Sequence, residues 1–87
     1  MALRTVLSNS AAKYLAALDR PTQARIREKL NAIAEEPFNA RLSKPLSGVE
    51  QRTARVGNYR IIFSIEPEIL FVADIGPRGR IYRRLER

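Results

Sequence analysis

The chain has 87 residues, with sixteen Lys and Arg against nine Asp and Glu, a formal net charge of +7, and neither cysteine nor histidine. That length suits one modest core in a single domain, residues 1–87, and the charge points to polyanionic partners, nucleic acid or an acidic protein first. Disulfides, thiolate zinc sites, cysteine nucleophiles and imidazole chemistry are excluded, and without a spanning apolar run of about 20 residues or a secretory pattern a cytoplasmic, membrane-free setting is expected.

The opening "LRTVL", residues 3 to 7, alternates apolar and polar side chains and predicts a short strand. The "SNS" that follows offers N-cap oxygens for a helix running to about Asp19, with Ala11, Leu15 and Leu18 on one stripe. A second helix restarts at "DRPTQ", its proline suited to the first turn. Ile26, Leu30, Ile33 and Ala34 recur at helical spacing until Pro37 ends the pattern, so the two helices form a hairpin. Residues 38–48 turn to Asn, Ser, Pro and Gly and read as a loop. Beyond it the period falls from about 3.6 to 2, predicting strands over 52–56, 59–65 and 69–75 joined by tight turns at "VGNY" and "EPE". "GPRG" turns the chain into a last short strand near Arg80 to Arg83. The expected class is α+β: an N-terminal strand and a helical hairpin packed on one face of a small, mainly antiparallel sheet.

Alternation sorts the charges onto faces. Tyr59, Ile61, Phe63 and Ile65 form the set that packs on the helices, leaving Arg60, Ile62 and Ser64 on the reverse face. Ala54 and Val56 suit the buried side, so Thr53 and Arg55 join Arg60; with Ile81 inward, Arg78, Arg80 and Tyr82 join them too. Several guanidiniums on one rigid sheet make a phosphodiester cradle, because each is planar, permanently charged and bidentate towards phosphate. Arg83, Arg84 and Arg87 read as a solvated tail.

The segments "RVGNYRIIFSI" and "ILFVADIGPRGRIYRR", with "KPLSG" before them, resemble the RelE/ParE superfamily of toxins from toxin-antitoxin systems, and the likeness covers nearly the whole chain. RelE-like members cleave mRNA in the ribosomal A site, ParE-like members poison DNA gyrase, and both are silenced by an antitoxin that wraps them. The resemblance carries catalytic roles onto Arg60, Arg78 and Tyr82. It departs at Gln51 and Thr53, near which relatives have lysines, and at Pro77, where many have histidine. Arg52 and Arg55 are the basic neighbours able to stand in for those lysines, and Lys44 and Arg80 complete the expected RNA contacts. The implied partners are a RelB-like antitoxin, the ribosome and mRNA, with no metal and no cofactor.

RNA brings its own nucleophile, the 2′-hydroxyl. Cleavage then needs positioning, charge stabilisation at phosphorus and movement of protons to and from oxygen. A guanidinium keeps its proton and is unsuited to act as a base. The phenol of Tyr82, with an ordinary pKa of about 10 that neighbouring cations lower, is the expected proton shuttle. Glu50 is the one carboxylate expected near the cleft. Three activities compete: the ribosome-dependent RNase, a gyrase-poisoning or otherwise non-nucleolytic toxin, and an RNA-binding domain without turnover.

Overall fold

The computed structural model describes residues 2–46 and 50–77. Strand β1 (Arg4–Leu7) leads into helix α1 (Asn9–Ala16), then α2 (Arg20–Glu35), a two-residue strand β2 (Lys44–Pro45), and strands β3 (Arg52–Val56), β4 (Tyr59–Glu66) and β5 (Ile69–Pro77). The five strands form one mixed sheet in the order β1-β5-β4-β3-β2, parallel only between β1 and β5. Both helices lie on one face of it. The predicted strand near Arg80 to Arg83 lies outside the described residues.

Local chemistry sets the helix ends. Ser8 is extended and its hydroxyl accepts from the Ala11 N–H at 3.1 Å, capping α1. The same hydroxyl donates to the Ala73 carbonyl at 2.8 Å, tying the start of α1 to β5. α1 stops at Ala16, three residues short of the expected Asp19, because Asp19 is needed in extended conformation (ψ 157°) to cap α2. The Gln23 amide bridges this link by donating to the carbonyls of Ala16 and Leu18 at 3.2 and 2.9 Å, so the last carbonyls of α1 are not left bare.

The predicted stripe of Ile26, Leu30, Ile33 and Ala34 is buried, and it meets Ala54, Ile61, Phe63, Leu70, Val72 and Ile75 from the sheet. Tyr59 packs edge-on against Tyr14 of α1, ring centroids 6.2 Å apart, closing one end of this core.

Two departures from the expected pattern shape the other face. Residues 44 and 45, expected as loop, pair with β3 (Lys44 with Thr53, Pro45 with Arg52) and put Lys44 in the sheet; Pro45 is tolerated because it sits on an edge strand. In β5, Ile62 pairs with Asp74 but Phe63 pairs with Val72, so Ala73 is an extra residue, a bulge. Simple alternation from Leu70 and Val72 would drive Asp74 into the core. The bulge turns Ile75 inward instead and leaves Asp74 on the reverse face.

Candidate nucleic-acid interface

Register partners share a face, so the reverse side of the sheet can be laid out row by row. One row runs Lys44, Thr53, Ile62, Asp74 across β2, β3, β4 and β5. The next runs Arg55, Arg60, Gly76 across β3, β4 and β5. Three cations and one carboxylate thus occupy adjacent rows of a rigid surface, and Gly76 brings no side chain beside Arg60.

Their environments differ. Arg55 and Lys44 are exposed, whereas Arg60 is half-buried with its Nε atom out of reach of solvent. Between them Thr53 and Ile62 are each only 1 % exposed, so the centre of this face is closed rather than the open surface that alternation suggested. The Thr53 hydroxyl oxygen is buried there without a hydrogen bond. Asp74 is half-buried and its Oδ1 accepts from the Ile75 N–H at 3.0 Å, which fixes the carboxylate against its own strand.

Arg52 belongs to the other side. It shares the face of Ala54, Ile61 and Phe63, and its guanidinium donates to the Ser43 hydroxyl at 3.0 Å and the Ser43 carbonyl at 3.3 Å. It also lies 5.7 Å from the centroid of the exposed Phe38 ring. The parity of Ala54 and Val56 carried this signal in the sequence. Glu50 is exposed and lines a separate shallow hollow with Phe38, Arg52 and Ile65. Arg78, Arg80 and Tyr82 lie outside the described residues. Among the described residues no three carboxylates gather into a metal-binding group, and no helix is long and apolar enough to cross a membrane.

The described rows set three cations and the Asp74 carboxylate on one face of the sheet. Arg60 is preorganised by its strand and by burial, Arg55 flanks it from the solvent side, and Lys44 stands one row away.

This hairpin-on-sheet architecture is that of the RelE toxins. The chain superimposes on the RelBE2 toxin-antitoxin complex of Mycobacterium tuberculosis (TM-score 0.75, 23 % identity, covering 90 % of this chain and 100 % of that one). It likewise matches the RelE-RelB complex of the archaeon Pyrococcus horikoshii (0.75, 24 %, 92 % and 99 %) and the isolated E. coli RelE toxin (0.77, 20 %, 98 % and 96 %). At the level of sequence no curated protein matches significantly. The family described as the ParE toxin of the type II toxin-antitoxin system parDE matches residues 6–82. The chain therefore belongs to this family, within the RelE/ParE superfamily, as a toxin of a type II toxin-antitoxin system.

Proposed function

We propose that the protein is a ribosome-dependent endoribonuclease that cuts mRNA in the A site and so inhibits translation, and that a cognate RelB-like antitoxin holds it inactive in the cytoplasm. The observation that carries this reading is the register of Arg55 with Arg60 on the reverse face, with Lys44 in the next row. Such a surface suits the backbone of a single RNA strand.

In this mechanism the 2′-hydroxyl attacks the adjacent phosphorus, the P–O5′ bond breaks, and a 2′,3′-cyclic phosphate and a 5′-hydroxyl result. Arg60 and Arg78 neutralise charge gathering on the phosphoryl oxygens. Tyr82 relays the proton lost by the nucleophile towards the departing 5′-oxygen. Arg55, Lys44 and Arg80 hold the flanking backbone. The ribosome supplies the substrate geometry that so sparse a set of groups does not impose alone. RelB-RelE complexes among the structural relatives support the antitoxin as partner, and the basic surface suits an acidic segment of it.

Mapping mRNA ends in a translating extract tests the reading. Arg60→Ala and Arg78→Ala each lower cleavage about 10²- to 10³-fold, the usual cost of one preorganised donor, and Tyr82→Phe abolishes it. Intact mRNA with inhibited supercoiling or DNA breaks would instead assign the protein to gyrase poisoning.

A further inference from the structure

A second cationic feature lies around the edge of the sheet from Arg60. Pairing with β2 ends at Thr53, so among the described residues none pairs with residues 54–56 along that edge of β3. Facing that edge, α2 presents Arg25, Glu28 and Lys29 across a cavity of about 390 Å³ that is also lined by Arg55 of β3 and Gly57 of the β3–β4 turn. Ala32, Leu42 and the buried Val56 supply its apolar lining.

Two guanidiniums converge on Gly57. Arg55 Nε donates to the Gly57 carbonyl at 3.2 Å, while Arg25 Nη2 lies 3.1 Å from where a Cβ at this glycine would sit. Arg55 engages one of its five N–H donors this way, which leaves its fork for a ligand. Three cations against one carboxylate at a single cleft favour an anion, and the volume falls in the range of about 300–1,000 Å³ typical of small-ligand sites. Arg55 links this cleft to the reverse face, since its strand position is opposite Arg60. A ligand that is continuous, carries a negative charge at each step and exposes apolar faces between charges fits both ends of the path. Single-stranded RNA has that pattern.

We infer that the cleft between α2 and the β3–β4 turn holds a nucleotide flanking the scissile linkage, its phosphate among Arg25, Lys29 and Arg55 and its base over Ala32, Leu42 and Val56. The inference rests on the RNA-cleaving reading above and extends it to a backbone site on the helices.

Fluorescence anisotropy with a short labelled single-stranded RNA, alongside cleavage in the translating extract, tests it. Arg25→Gln and Lys29→Gln each weaken RNA binding about tenfold and flatten the dependence of log Kd on log salt by about 0.7, the loss of one phosphate contact to a single strand. Lys29→Arg retains the affinity. Lys13→Gln, which removes an equal charge from exposed α1, changes it less than about twofold. Wild-type protein that cuts mRNA while Arg25→Gln and Lys29→Gln bind RNA like Lys13→Gln would overturn the cleft site and leave the RNase reading standing. Wild-type protein that neither binds nor cuts RNA would overturn both. Unchanged RNA affinity with lost binding of polyglutamate would make the cleft a surface for an acidic protein and likewise overturn the inference.

Discussion

Arg55 and Arg60 stand directly opposite each other on β3 and β4, and the Arg55 guanidinium reaches along its own strand to the Gly57 carbonyl at 3.2 Å. Like charges in that relation destabilise a ladder by about 0.2–1 kcal/mol. Replacing Arg55 by Thr, a good strand former, is expected to raise the unfolding free energy, read from urea titration, by an amount in that range and to lower mRNA cleavage. A variant that lost both stability and activity would show that Arg55 supports the fold.

Arg52 is expected to behave in the opposite way. Its bonds to Ser43 and its approach to Phe38 tie the chain after α2 to the edge of the sheet. Arg52→Ala should cost about 1.5–3 kcal/mol, the range for hydrogen bonds to a charged group, while cleavage measured well below the melting temperature stays close to wild type. Arg52→Lys should recover only part of the stability, since an ammonium cannot reproduce the fork.

The two hairpin turns make contrasting predictions. Gly57 takes φ +57° at the first position of the β3–β4 turn, and a Cβ there would also crowd Arg25 Nη2 at 3.1 Å. Gly57→Ala should destabilise by about 1–2 kcal/mol, mostly from the backbone, because the end of the Arg25 side chain can move aside. Glu68 takes φ +65° after Pro67 without being glycine. Glu68→Gly should therefore stabilise by about 1 kcal/mol, a shift of opposite sign in the same urea titration.

Asp19 gives a pH dependence. The Thr22 hydroxyl, donating to Oδ1 at 2.7 Å, is the main cause that holds this carboxyl below its usual 3.8; the Thr22 N–H and nearby Arg25 act in the same direction against partial desolvation. With the folded value below the unfolded one, its contribution to stability is complete above the unfolded pKa and is lost as pH falls through the folded one. Asp19→Asn keeps a capping oxygen and removes the titration. The stability difference between wild type and Asp19→Asn should be constant above about pH 5 and shift against wild type below about pH 4, as read by urea midpoints across the series.

Much of this molecule could be read from periodicity. Ile26, Leu30, Ile33 and Ala34 are buried as a set, and the inward row of β4 separates Ile61 and Phe63 from Arg60 as the alternation requires. Propensity could not reveal β2, because a two-residue edge strand containing Pro45 is defined by its partner Arg52 rather than by its own residues. Nor could strict alternation place Asp74, since one extra residue at Ala73 reverses the parity of everything after it. The burial of Thr53 and Ile62 on the reverse face was equally hidden, as both belong to a face that pattern alone assigns to solvent. The cleft beside Gly57 needed three dimensions, because Arg25 and Arg55 are brought together by the packing of α2 on β3.

The parallel pairing of β1 with β5 also bears on how the protein is made. Ser8 and Ala73, joined by a hydrogen bond, are 65 positions apart. Residues 4–7 therefore leave synthesis long before their neighbours at 69–72 exist. Closing so distant a contact is entropically slow and comes late. A polypeptide released before Ile69 has no fifth strand to dock its beginning, so a prematurely terminated copy lacks the strand that joins β1 to the rest of the sheet.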